Sequence, residues 1–230
     1  MAKRRPQPRK ESDNIRPPTR DIQAVTHDSV AVAWERSIDL LLSNGRWVST
    51  QRGFRALELY NLRMLIRKPS SREDLPSLYA FGKSFVSEYE HTHEAGFATA
   101  AIKDRLFAFG HGAVNQIESV VRILRADRWS RRAFVSTIDP SSDAASPHPP
   151  CLTYLQFTTR DDHLDLFAVF RSNDAWLAAL PDILSMIRLQ ETVADALEIP
   201  VGSYAHTAVS YHLYETDYPP ALAAFRRVNR

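Results

Sequence analysis

The residues in this chain best equipped for chemistry are one thiol and a small set of arginines. Cys151 is the single cysteine among 230 residues, which excludes an internal disulfide framework and a zinc centre built from several thiolates of one chain. It follows the loop PHPP and precedes the apolar run LTYLQF, with SRR at 130–132 upstream and RSND at 171–174 downstream. Adjacent guanidinium groups with a hydroxyl suit a phosphate monoester, because each planar fork holds two phosphate oxygens and the serine adds a neutral donor. A thiol in that positive field is expected to titrate below its ordinary value of about 8.5 and to attack as the thiolate. Each motif alone has a plainer use: a lone cysteine is usually a small buried hydrophobe, and paired arginines at a helix end usually complement the dipole in solvent. Their joint spacing favours a nucleophile beside an anion site.

Several elements must position these groups. VAVAWERSIDLLLSNG places Val30, Ala33, Trp34, Ile38, Leu41 and Leu42 at helical spacing, with Asp28 or Ser29 to cap the start and Gly45 to end it. RALELYNLRMLIRKP alternates Leu57, Leu59, Leu62, Met64 and Ile66 with polar residues, imperfectly, and reads as a strand or paired strands ending at Pro69. A helix is predicted from Pro76 to about Tyr89, and another in GAVNQIESVVRILRAD, where Val114, Ile117, Val120, Val121 and Ile123 form an apolar face. AFVSTI, LTYLQF and LDLFAVF are short, β-branched and aromatic, separated by DPSSDAASPHPP and TTRDDH, and read as strands. ILSMIRLQETVADALEI is a long helix and SYAHTAVSYHLYE a closing strand. This order predicts an α+β fold of mixed α/β layers rather than a regular alternating array.

At 26.1 kDa, with 44% hydrophobic and 24% charged residues, the chain can bury a sizeable core. It has no apolar run long enough for a membrane span and no secretory start, so a cytoplasmic protein is expected. The net charge of +2 conceals an uneven spread: residues 1–20 hold seven Lys/Arg against Glu11 and Asp13. Residues 1–25 are expected to be a disordered, basic, Pro-rich tail, more plausibly solubilising than nucleic-acid-binding, and residues 26–230 the catalytic domain. His91 and His93 in EYEHTHEAG lie near three glutamates, but an i, i+2 pair shares a face only on a strand and a fourth ligand is not evident, so no metal site is expected. FGHGAV lacks the remaining glycine and lysine of a phosphate loop and reads as a turn.

PPCLTYLQF, FRSNDAW, the helix carrying LQE and VGSYAHTAVSYHLYE, in that order, resemble the catalytic half of thymidylate synthase and its hydroxymethylase relatives. LLSNGRWVSTQRGFRALEL is similar to that family's opening helix, turn and strand, and SRRA precedes the cysteine at the family's distance. The likeness covers most of residues 30–217, thinly between 70 and 110. It implies a fold with a large twisted sheet that forms a homodimer interface. It implies that Cys151 adds to C6 of a pyrimidine nucleotide and that C5 then takes a one-carbon unit from 5,10-methylenetetrahydrofolate. Arg52, Arg171 and Ser172 would hold the phosphate, with Arg131 and Arg132 reaching over from the partner subunit. His212 and Tyr214 would contact the sugar, and Asn173 and Asp174 would belong to the segment that holds the base.

Asp182 stands where methylating members carry the asparagine that reads uracil. Cytosine offers an amino donor at N4 and an acceptor at N3, which a carboxyl group can match by accepting and, when protonated, donating. Asp182 therefore points to CMP or dCMP and to hydroxymethylation, with dUMP methylation as the alternative. Other positions depart from the family: Lys83 falls near its glutamate, Phe109 and Gly110 replace Tyr-Gly, Leu152 replaces a common histidine, Phe170 a glutamine and Ala178 a glycine. They bear on folate binding and proton transfer, and keep open a nucleotide-binding homologue without folate chemistry. Asp182 as a simple exposed acid at a helix start is the plainer reading of that residue.

Overall fold

A computed structural model describes residues 22–91, 99–112 and 114–228. In chain order the elements are β1 (Gln23–His27), α1 (Val30–Asn44), β2 (Arg46–Ser49), β3 (Arg55–Ile66), α2 (Gly82–His91), α3 (Thr99–Phe107), α4 (Phe109–Gly112), α5 (Gln116–Ala126), β4 (Phe134–Ser136), α6 (Pro140–Asp143), β5 (Leu152–Arg160), β6 (His163–Asp174), α7 (Ala179–Leu197), β7 (Val201–Tyr214) and α8 (Tyr218–Val228). The expected mixed α/β layers are present. Seven strands form one mixed sheet in the order β1-β3-β7-β6-β5-β4, and β2 shares the edge of β3 that β1 uses further along.

α1 starts where its orphan N–H groups find acceptors. Ser29 Oγ accepts from Val32 N–H, and the Glu73 carboxylate accepts from Val30 and Ala31 N–H. It stops at Gly45, whose N–H donates to Leu41 O at 2.8 Å. A Cβ on Gly45 would collide with that carbonyl and lie 2.8 Å from Leu57 Cγ. Gly45→Ala is accordingly expected to cost about 1–3 kcal/mol, read as a lower urea midpoint at unchanged m-value.

The imperfect alternation in 55–66 has a geometric cause, and it is one strand rather than two. Leu62, Met64 and Ile66 are buried on one side of Asn61, and Leu57 and Leu59 on the other, so the inward phase slips by one residue. Asn61 absorbs the slip with φ of 61°, a conformation asparagine tolerates better than most residues. The neighbouring strands slip too: Leu166, Ala168 and Phe170 give way to Asn173 on β6, and Tyr204, His206 and Ala208 to Tyr211 and Leu213 on β7. The sheet thus bends along one line, and that line passes through RSND.

Trp34, Ile38 and Leu41 of α1 and Ile183, Ile187 and Val193 of α7 are fully buried in the single core. On the outer face, Phe134, Gln156, Phe167, Ala205 and Leu65 lie in one row across five strands. Phe134 is 51% exposed, Phe167 40% and Leu65 37%, so this row is not covered by any described element.

Several boundaries differ from expectation. β1 takes Gln23 to Val25 out of the anticipated tail, because these residues pair in parallel with β3 and Val25 enters the core; the earlier tail lies outside the described residues. The helix expected from Pro76 begins at Gly82, at φ 78°, and FGHG forms the short α4. β2 and α8 had no sequence-level counterpart. EYEHTHEAG runs into residues 92–98, outside the described residues. None of the described helices is long and apolar enough to cross a membrane.

Candidate active site

Cys151 sits immediately before β5, half-buried, with its loop held by Arg171. Arg171 Nε donates to Pro150 O at 2.9 Å and Nη2 to Pro149 O at 2.6 Å, while its backbone N–H donates to Cys151 O at 2.8 Å. The same Nη2 lies 3.8 Å from Cys151 Sγ. Two proline carbonyls, freed because PHPP cannot form a ladder, thus aim the guanidinium at the sulfur. Arg52, in the turn before β3, stacks its guanidinium 5.3 Å from the centre of the Tyr214 ring, and Tyr214 packs edge-on against His212 at 4.8 Å. Arg52, Arg171, Asp174 and Asp182 all act electrostatically on Cys151, so the fold gathers these anticipated residues into one cluster.

The expected lowering of the thiol is not what these surroundings produce. Burial pushes Cys151 up from its ordinary range, Arg171 and Arg52 pull it down, and Asp182 and Asp174 push it up again, with a net rise. A buried thiolate loses its hydration, and two nearby carboxyl groups oppose the arginines. A bound phosphate or base would alter that balance, but in the chain alone Cys151 is predominantly a thiol.

Asp182 is not the exposed acid of a helix start. It lies in the first turn of α7, partly buried, where Asn173 Nδ2 donates to its Oδ2 at 2.7 Å and Tyr89 Oη donates to its Oδ1 at 3.0 Å. Burial pushes Asp182 up to about 7 despite these two bonds, with Asp174 adding to the rise. It can therefore change protonation state near neutral pH. Asp174 spends its own side chain locally, Oδ1 accepting from Trp176 and Leu177 N–H at 3.0 Å each and fixing the turn into α7. Ser172 sits on β6 between Arg171 and this turn, paired with Ser210.

Two predicted residues are not brought to this cluster by their own chain. Arg131 and Arg132 are exposed just before β4, and Ala133 O accepts from Phe157 N–H. Phe157 is six residue steps along the chain from Cys151, about 20 Å of strand. Lys83, expected near the family's glutamate, pairs with Asp74 at 2.8 Å and is 75% exposed.

Sequence reading missed Tyr89, Tyr204 and His206. All three are buried, and all look like core aromatics or an incidental histidine within apolar patterns. Tyr89 adjoins Asp182, while Tyr204 Oη and His206 Nδ1 lie 3.0 Å apart and His206 Nε2 lies 3.1 Å from Asn173 Oδ1. Their polar ends meet only because β6, β7 and α2 converge on the first turn of α7.

Comparison with known proteins places this geometry in context. The profile of the family described as Thymidylate synthase matches residues 63–230. A protein of Methanocaldococcus jannaschii named "Putative thymidylate synthase" is 32% identical over 196 residues, covering 81% of this chain and 88% of that protein. Proteins of the same name from Methanothermobacter thermautotrophicus and Methanococcoides burtonii are 26% and 29% identical, covering 84% and 83% of this chain and 94% and 88% of theirs.

Proposed function

The chain belongs to the thymidylate synthase family, and on that premise we propose that it hydroxymethylates C5 of a cytosine nucleotide, CMP or dCMP. Membership makes it a one-carbon transferase of the pyrimidine-nucleotide type; the choice of cytosine rests on Asp182. That carboxyl group occupies the first turn of α7 with both oxygens accepting from protein donors, and it is close enough to Cys151 to act on the thiol electrostatically. An oxygen rich in lone pairs attracts the N4 amino group of cytosine and repels O4 of uracil.

The remaining roles follow from position. Arg52, Arg171 and Ser172 bind the phosphate, and His212 and Tyr214 line the sugar. Charge on the bound nucleotide engages Arg171 near the sulfur while the base covers it. Sγ gives up its proton and adds to C6, and the C5–C6 π pair makes C5 nucleophilic toward the one-carbon unit; loss of the C5 proton, release of tetrahydrofolate, addition of water to the transferred carbon and departure of the thiolate then leave a hydroxymethyl group on a restored ring. Asp182, titrating near neutrality, is suited to hold or release a proton at N3 as the ring charge changes. Methylenetetrahydrofolate supplies the one-carbon unit. A pterin needs a flat apolar wall, and Phe81 and Phe85, half-buried with centroids 5.1 Å apart in a run that continues to Tyr89, offer one; Lys83 between them is paired with Asp74.

A homodimer completes the site in this reading. The exposed row from Phe134 to Leu65 suits a second sheet, and Arg131 and Arg132, just before Phe134, would serve a partner's phosphate rather than their own.

Release of tritium from C5 of CMP, dCMP and dUMP, with and without methylenetetrahydrofolate, tests the reaction. Folate-dependent release is expected from a cytosine nucleotide, at least tenfold faster than from dUMP and abolished in Cys151→Ala. Fastest release from dUMP would assign methylation instead. The raised thiol and outward Lys83 favour a second reading, a nucleotide-binding homologue without turnover, and absence of release from all three would select it.

A further inference from the structure

Behind Asp182 runs a buried series of polar groups that the reaction itself does not use. Tyr204 Oη, His206, Asn173 and Asp182 follow one another at 3.0, 3.1 and 2.7 Å, from the middle of β7 through β6 to α7. Tyr204 and His206 are fully buried and Asn173 is 2% exposed. His206 is neutral, since burial drives it down to about 3, so one ring nitrogen donates and the other accepts.

A series of this kind has two self-consistent polarities. In one, Tyr204 O–H donates to His206 Nδ1, His206 Nε2–H donates to Asn173 Oδ1, and Asn173 Nδ2–H donates to Asp182 Oδ2. In the other every bond reverses: a protonated Asp182 donates to a flipped Asn173, whose amide donates to His206 Nε2, and Nδ1–H donates to Tyr204 Oη. The two differ at the far end. Among the described residues His206 is the hydrogen-bond partner of Tyr204 Oη, so the reversed polarity strands the buried Tyr204 proton without an acceptor, a large penalty away from water. The first polarity gives the Tyr204 proton its acceptor.

We propose that Tyr204, acting through His206 and Asn173, holds Asp182 as a hydrogen-bond acceptor and so makes these three positioning residues for recognition of an amino-bearing pyrimidine. The inference rests on the cytosine reading above and adds how that selectivity is enforced. Other groups facing Asp182 do not impose a polarity. Tyr89 on α2 can donate to Oδ1 or accept from it, and Tyr79, Cys151 and Asp174 act on the carboxyl group or its neighbourhood through space.

The test uses the full chain. Nitrogen-15 NMR of His206 reads the tautomer without ligand, and calorimetry of CMP and UMP binding to wild type and Tyr204→Phe reads the consequence. The expected results are the Nε2–H tautomer in wild type and, in Tyr204→Phe, a preference for CMP over UMP reduced by about tenfold. An Nδ1–H tautomer in wild type overturns the proposal, whether or not the variant folds, and so does an unchanged preference in a folded Tyr204→Phe. Wild type binding UMP as tightly as CMP while showing Nε2–H defeats the cytosine reading and the selectivity built on it. The tautomer tells that failure apart from failure of the series.

Discussion

Asp182→Asn is expected to turn base preference from cytosine to uracil by about 100-fold or more. An amide held with its N–H toward O4 and its C=O toward N3–H matches uracil, whereas in that same orientation its donor meets the N4 amino group of cytosine and both are left unmatched. Competition between CMP and UMP, or between dCMP and dUMP, reads the change, and unaltered preference would show that Asp182 does not face the base. The same variant carries a pH signature. Asp182 is pushed up to about 7 in the folded chain, against about 3.9 when unfolded. Its contribution to stability is therefore complete below about pH 4, falls as pH rises through 7, and is flat beyond. The loss amounts to roughly 2–4 kcal/mol, the upper figure being three pH units at about 1.4 kcal/mol each. Asparagine cannot ionise, so urea unfolding of Asp182→Asn relative to wild type should gain by that amount between pH 4 and pH 8. Asp174, also raised by burial, is present in both proteins and largely cancels. Parallel pH profiles for the two proteins would remove the basis for treating Asp182 as a group that titrates near neutrality.

The second large effect concerns assembly. Cys151→Ala and Arg131→Ala chains, each nearly inactive alone, are expected to regain about a quarter of wild-type tritium release when unfolded together and refolded. In a mixed dimer with shared sites, one site carries both defects and the other neither, and half of the randomly formed dimers are mixed. The physical basis is distance: Arg131 lies beside the far end of β5 from Cys151, and a single arginine side chain cannot span about 20 Å of strand. If Arg131 served its own chain, no mixed dimer would contain an intact site and the mixture would stay inactive. A purely monomeric protein by sedimentation would count against the exposed row from Phe134 to Leu65 as an interface.

Much of this was legible before any coordinates. Ser29 and Gly45 bound α1 as their chemistry suggests, since caps and stops act over one turn of chain. β5, β6 and β7 were visible as β-branched and aromatic runs, although β6 extends through RSND instead of ending before it. β1 was not legible: five residues beside a basic, Pro-rich run have no pattern strong enough to name a strand, and they become one only by pairing with β3. The phase slip at Asn61 appeared as imperfect alternation without its cause, because a left-handed residue in mid-strand is decided by the neighbours that bend with it.

The sequence by itself determined the inventory: a single thiol, a set of arginines with a serine, and an acid at the start of α7, the groups to which the proposed nucleophile, phosphate and base-reading roles are given. Those assignments depend on residue type and order, which the covalent chain sets. Tertiary structure alone decided how the groups behave. Burial raises the Cys151 thiol that the arginines were expected to lower, brings Asp182 to about 7, and joins Tyr204 and His206 to Asn173 across two strands. Desolvation and hydrogen-bond direction depend on which atoms surround a group on every side, and no local run of residues contains that information.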